Sequence, residues 1–265
     1  MPVAGPRRHM NTGLHVQTLG HGPDLVLLHG WGLHGGVFAP LAERLADDFT
    51  LHVVDLPGHG LSRDSTVPLA LGPGSDAIAR QVPEGALWLG WSLGGLFALQ
   101  AALTRPDLRG LVLVASSPRF VAAPDWPRGT PASALAGFAD DLRNDYAGTI
   151  GRFLALDLVD APGNPQVLRR QLLARGAPAP QAIRDGLDVI ETTDLRPALA
   201  SLPVSSLWLA GHRDRMVSPA AMHAAAALAP QARFDEIPGA GHAPFLARPD
   251  DVADQLRGFS MSLPA

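Results

Sequence analysis

The sequence predicts an α/β fold: a mostly parallel central sheet flanked by helices, with an all-helical cap inserted into it. Three observations carry that prediction. Short continuous apolar runs recur with helix-length spacers between them, as strands covered on both faces require. A glycine-flanked serine turn at 90–95 joins one such run to a helical pattern. One long stretch, 118–186, breaks the alternation without a strand-like run of its own.

The strands are expected at 25–28, closed by His29-Gly30, and at 51–55, closed by Pro57-Gly58. Two more are expected at 86–90 and 110–115, then 206–211, and a weaker one at 233–237. Helical spacing places helices over 37–46, 93–104, 219–228 and 249–259. The stretch 118–186 reads as several short helices separated by Pro and Gly. The chain therefore divides into a core domain, 1–117 with 187–265, and a helical cap, 118–186.

Composition excludes several function classes. The 265 residues are 46% hydrophobic and 17% charged, enough for a sizeable core and too apolar for a disordered chain. No apolar run reaches the roughly 18 residues of a membrane span. With no cysteine, disulfide scaffolds and thiolate metal sites are excluded. A net charge of −4 excludes a globally basic nucleic-acid binder. All 21 basic side chains are arginine. The first ten residues hold no apolar signal core, so a cytoplasmic protein is expected; the stretch before Met10 reads as an extension or an upstream start.

The chemistry centres on Gly90-Trp91-Ser92-Leu93-Gly94-Gly95. A G-x-S-x-G between a strand and a helix is the setting of a nucleophile elbow, where a tight turn presents the serine hydroxyl above the sheet. Ser92 is thus the candidate nucleophile. A serine needs a base, and the base needs an orienting acid. His242 lies in a glycine-rich loop after the last strand, a place that His29, His212 and His223 lack. Asp214 follows the strand at 206–211; Asp188 and Asp194 are the alternatives, though neither follows a strand. For a tetrahedral oxyanion, the N–H groups of Leu93 and of Trp31, in His29-Gly30-Trp31-Gly32, are the expected donors. Asp55 to Ser62 holds one Asp and one His with two glycines, which favours a structural turn over a metal or phosphate loop. Neither metal nor cofactor is called for.

From about Leu14 onward these motifs resemble the α/β-hydrolase superfamily. More narrowly, they resemble the pimeloyl-acyl-carrier-protein methyl ester esterases of biotin synthesis. The narrower likeness rests on Leu-Leu-His-Gly-Trp-Gly (27–32), Phe-Thr-Leu-His-Val-Val-Asp-Leu-Pro-Gly (49–58) and Trp-Leu-Gly-Trp-Ser-Leu-Gly-Gly (88–95). It also rests on Val-Ala-Ser-Ser-Pro (114–118), Arg-Phe-Leu-Ala-Leu (152–156) and Gly-His-Ala-Pro-Phe (241–245). Where glutamine would be expected at the end of the cap motif, this chain has Asp157.

The resemblance implies hydrolysis of a methyl ester at the far end of a pimeloyl chain carried on acyl carrier protein. It implies substrate contacts from Trp31, Ser92, Leu93, His242 and the cap residues Phe153, Leu154, Ala155, Leu156 and Asp157. Within 152–184 five arginines stand against two aspartates, in a chain that is acidic overall. Arg152, Arg169 and Arg170 are therefore the candidates for docking an acidic carrier protein. A small capped fold of this kind is expected to be a monomer. The residues alone also fit a broad short-chain carboxylesterase, a carbon–carbon bond serine hydrolase or a non-catalytic binding protein. The intact Ser, Asp and His set argues against the last.

Overall fold

The computed structural model describes residues 13–158 and 165–264. The reading of Met10 as a start site lies outside them. Among the described residues seven strands form one sheet in the order β1-β3-β2-β4-β5-β6-β7. They are β1 (Val16–Gly20), β2 (Asp24–Leu28), β3 (Thr50–Val54), β4 (Leu87–Trp91), β5 (Gly110–Val114), β6 (Ser206–Gly211) and β7 (Ala232–Ile237). Only β1 runs antiparallel, against β3; every other pairing is parallel.

Every residue of β4, β5 and β6 is buried, which is why these strands read as unbroken apolar runs. β1 was not legible. Its sequence, Val-Gln-Thr-Leu-Gly, has neither an apolar run nor a clean alternation, because it is a half-exposed edge strand.

The core helices are α1 (Ala39–Leu45), α2 (Leu71–Ala79), α3 (Leu93–Thr104), α8 (Pro219–Ala226), α9 (Pro244–Ala247) and α10 (Pro249–Ser262). A short 3-10 turn, Gly35–Phe38, leads into α1. α2 escapes sequence reading because Leu-Gly-Pro-Gly opens it. Pro73 lies in the first turn, where a helix has no use for the missing N–H.

Between β5 and β6 the chain leaves the sheet and builds α4 (Ala132–Asn144), α5 (Tyr146–Asp157), α6 (Pro165–Ala174) and α7 (Pro180–Thr192). The expected cap boundary at 186 falls inside α7, which continues to Thr192. The two ends of the insertion meet: the Leu195 N–H donates to the Pro118 carbonyl at 2.9 Å. The insertion is also fastened from above. The Arg175 guanidinium pairs with buried Asp55 at 3.0 Å, the Ala179 N–H donates to Gly58 O at 2.8 Å, and His34 Nε2 bonds Leu172 O at 3.0 Å. Asp55 also accepts the N–H groups of Gly35 and Leu61, so the 55–62 segment is a saturated structural turn.

Candidate active site

The site lies at the carboxyl edge of the parallel strands, where an open α/β sheet gathers its loops. β4 ends at Trp91 and α3 begins at Leu93, leaving Ser92 alone in the turn. Its φ of 52° lies in the left-handed region that side-chain-bearing residues rarely adopt. The turn is held by the Ser92 N–H to Val114 O at 3.0 Å and by the Ser116 hydroxyl, which donates to Ser92 O at 2.8 Å. So sharp a turn brings α3 against β2. A Cβ on Gly94 would stand 2.3 Å from the Leu28 carbonyl oxygen, so only glycine fits there.

His242 Nε2 lies 3.0 Å from Ser92 Oγ, and its Nδ1 lies 2.9 Å from Asp214 Oδ2. The other Asp214 oxygen accepts the N–H groups of Met216 at 2.8 Å and Val217 at 2.9 Å, which fixes the carboxylate's orientation. All three side chains are buried. Burial disfavours the imidazolium, but the Asp214 charge and hydrogen bond together with the Asp157 charge outweigh it, holding the His242 pKa above the ordinary histidine value. The bond to Asp214 places the ring proton on Nδ1 and leaves Nε2 free to accept from the serine. The alternative acids lie elsewhere. Asp188 is exposed on α7, and Asp194 is engaged by Arg119 and Arg196.

The Leu93 and Trp31 N–H groups have no acceptor among the described residues. The loop carrying Trp31 is clamped by two neutral histidines. His29 Nδ1–H donates to Gly30 O at 2.8 Å while its Nε2 accepts from Leu56 N at 2.9 Å. His59 Nδ1–H donates to Pro57 O at 2.9 Å while its Nε2 accepts from Gly32 N at 3.3 Å. Desolvation by burial lowers their pKa values to about 3 and about 4, so both stay neutral at physiological pH.

Ser92 and His242 sit at the floor of a slot with about 520 Å³ of empty space including its mouth. Its walls are apolar: Trp31 and Leu33 from the core, Leu135 and Phe138 from α4, Ile150 and Phe153 from α5, Ile190 from α7, with Phe120, Met216 and Val217. Phe138 meets the Trp31 ring edge-on at 5.7 Å. Sequence reasoning missed the α4 and α7 contributions. The signal was present in α4, where Leu135, Phe138 and Leu142 share one helical face. The indole Nε1 of Trp31 is buried with no partner among the described residues and faces α7, where a Cβ on Gly186 would come within 2.4 Å of it.

Of residues 153–157, only Phe153 lines the slot. The stretch expected to contact substrate therefore divides by residue. Successive helical side chains point about 100° apart. Leu154 goes into the core, Ala155 and Leu156 face solvent (Leu156 is 72% exposed), and Asp157 turns back to accept the Ala243 N–H at 2.7 Å. The docking candidates also differ among themselves. Arg152 is exposed but pairs with Asp141 and Asp145, Arg169 is half-buried with Nη2–H toward Ala147 O, and Arg170 is exposed.

Residues 25–255 match the model of the alpha/beta hydrolase family. The chain belongs to that family. Among sequence relatives, a pimeloyl-[acyl-carrier protein] methyl ester esterase of Xanthomonas campestris pv. campestris (strain B100) is 55% identical over 254 residues, 95% of this chain and 100% of its own. One of the same description from Stenotrophomonas maltophilia (strain K279a) is 53% identical over 253 residues, 94% and 97% of the two chains. Among solved structures, the esterase EaEST from Exiguobacterium antarcticum superposes with a TM-score of 0.82 at 21% identity, covering 94% of this hydrolase and 96% of that chain. No helix among the described residues of this hydrolase is long and apolar enough to cross a membrane.

Proposed function

We propose that this hydrolase is a serine carboxylesterase that cleaves the methyl ester of pimeloyl-acyl carrier protein in biotin synthesis, giving methanol and pimeloyl-acyl carrier protein. The observation that carries the chemistry is the unbroken chain Ser92 Oγ–His242–Asp214 at 3.0 and 2.9 Å, opening onto a slot with apolar walls. The names of the relatives over nearly the whole chain carry the substrate class.

In this proposal His242 takes the Ser92 proton as Oγ attacks the ester carbonyl, and Asp214 stabilises the imidazolium. The oxyanion is received by the Trp31 and Leu93 N–H groups. His242 returns the proton to the departing methoxide, and water, activated by the same imidazole, releases the acid and regenerates Ser92. The apolar slot accommodates methylene groups, each worth about 0.8 kcal/mol when buried. No step needs a metal or cofactor.

The carrier protein is proposed to meet the outer cap. Leu156 lies one turn after Arg152 on the same face of α5, so an exposed apolar contact and a cation stand together there. Arg169 and Arg170 extend the positive field onto α6. The esterase acts as a monomer in the cytoplasm.

The test is methanol release from pimeloyl-acyl-carrier-protein methyl ester by purified protein, paired with rescue of a biotin auxotroph lacking its own esterase. Turnover abolished by Ser92→Ala, together with rescue, is the expected result. Hydrolysis of small free esters without turnover of the carrier-linked ester would return the broad carboxylesterase.

A further inference from the structure

Asp157 is the last residue of α5, in the cap, yet its carboxylate is spent on the core. It is 5% exposed, and Oδ1 accepts the Ala243 N–H at 2.7 Å. On the other side of the base, a Cβ on Gly241 would stand 2.5 Å from the same oxygen, so the loop presents bare backbone to it. The carboxylate thus spans 241–243, the segment that carries the His242 ring. A buried carboxylate is costly unless something compensates its charge. The compensation present is the backbone N–H groups of Ala243 and His242 and the imidazole itself. The charged groups facing His242 are Asp214, from the loop after β6, and Asp157, from α5, with Ser92 Oγ at the remaining nitrogen.

We propose that Asp157 is a positioning residue for the base: it anchors the 241–243 loop through the Ala243 N–H and sets a second negative charge beside the His242 imidazole. The inference rests on the esterase assignment above and gives Asp157 a role distinct from touching substrate. Burial raises the Asp157 pKa, while His242 and the loop N–H groups pull it down; in the same pair, Asp157 adds to Asp214 in favouring the imidazolium. Removing the Asp157 charge therefore lowers the His242 pKa, and the neutral, competent base persists to lower pH.

The test compares Asp157→Asn, which keeps an acceptor for the Ala243 N–H without the charge, with Asp157→Ala, which loses both. Two readouts are taken: the pH profile of kcat/KM on a small free methyl ester, and the His242 ring titration by NMR. For Asp157→Asn, the acid limb and the NMR titration should move down together by roughly half to one pH unit, below the 1–3 units of a directly paired carboxylate. Its alkaline plateau should stay within about threefold of wild type, whereas Asp157→Ala should also lose about tenfold or more of the plateau as the loop loosens. Superimposable profiles and titrations for wild type and Asp157→Asn would overturn the proposal. Should Asp157→Asn not fold, Asp157→Glu against Asp157→Gln repeats the charge comparison at one side-chain length. Wild-type hydrolysis that survives Ser92→Ala would sink the esterase assignment instead, and the NMR titration would still decide the role of Asp157.

Discussion

The indole N–H of Trp91 donates to the carbonyl oxygen of His242 at 2.8 Å. The residue immediately before Ser92 therefore holds the backbone of His242. The two rings lie 5.6 Å apart, and Phe245 meets Trp91 edge-on at 5.2 Å. Trp91→Phe should keep the aromatic packing and lose the tether. A buried carbonyl left without its donor costs about 1–3 kcal/mol, so thermal stability should fall accordingly. The effect on kcat should exceed that on KM, which steady-state kinetics on a free methyl ester will read.

Ser92→Ala should abolish ester hydrolysis, by about 10⁴-fold or more, and leave the fold intact, since the hydroxyl points into the slot. His242→Ala should be similarly severe. Asp214→Asn should also lower the His242 pKa, because the carboxylate that raises it is gone. In the proposed mechanism activity requires neutral His242 and so rises with pH through that pKa; the weak residual activity of Asp214→Asn should have its acid limb displaced to lower pH. A residual rate whose limb stays at the wild-type pH would argue against this coupling.

Gly186 leaves room for the Trp31 indole. Gly186→Ala places a Cβ 2.4 Å from Nε1, on a helix backbone that cannot retreat, so the ring must shift toward the slot. Long acyl chains should suffer more than acetate esters, with kcat/KM on an eight-carbon p-nitrophenyl ester falling about tenfold, roughly the worth of one or two buried methylenes. Equal loss on both chain lengths would count against the slot as the acyl site.

Acid should destabilise the fold earlier than exposed carboxylates alone would predict. Folded His29 and His59 have pKa values of about 3 and about 4, depressed from 6.5 by burial, so below pH 6.5 the unfolded chain binds protons that the folded one refuses. Stability is then full above pH 6.5 and lost as pH falls toward 4, with each histidine contributing up to about 1.4 kcal/mol per pH unit. Urea midpoints measured from pH 7.5 to 4.5 should decline throughout; a midpoint flat from 6.5 to 5 would be inconsistent with neutral buried rings. Burial pushes the Asp55 carboxyl up, but the Leu61 and Gly35 N–H groups and the Arg175 charge hold it below the carboxylate range, so it adds its loss at lower pH.

Replacing Arg152, Arg169 and Arg170 together by glutamate should lower kcat/KM on the carrier-linked ester about tenfold or more, chiefly through the association rate, while a free methyl ester changes less than about twofold. Wild-type turnover of the carrier-linked ester should fall with salt, and the triple variant should lose much of that dependence. Within the set, Arg170→Glu should matter more than Arg152→Glu, because Asp141 and Asp145 already offset the Arg152 charge. Equal losses on both substrates would point to damage to the fold.

The sheet was legible where burial is two-sided. β4, β5 and β6 left unbroken apolar runs, and Ser92, Asp214 and His242 could be brought forward as candidates because they follow β4, β6 and β7. The half-exposed β1 and the glycine-rich opening of α2 left no such trace. In the cap, a contiguous motif at 152–156 suggested a contiguous contact, but a helix distributes neighbouring residues to different sides. The slot walls instead come from residues scattered over α4, α5 and α7. Asp157 could not be placed from sequence, since its partner, Ala243, is 86 residues away.

The insertion leaves the sheet at Pro118 and returns at Leu195, and a single backbone hydrogen bond joins those two points. A module whose entry and exit touch can be exchanged between proteins without redrawing the scaffold beneath it, so acyl-chain preference can diversify by swapping one segment. Here a transplant would carry away more than selectivity. The donor segment would also need a carboxylate at the position of Asp157 and clearance over Trp31, or the recipient would inherit a new pocket above a mistuned base. Chimeras exchanging 118–195 should therefore recover activity in proportion to how well those two junctions, and the contacts to Asp55, Gly58 and His34, are rebuilt.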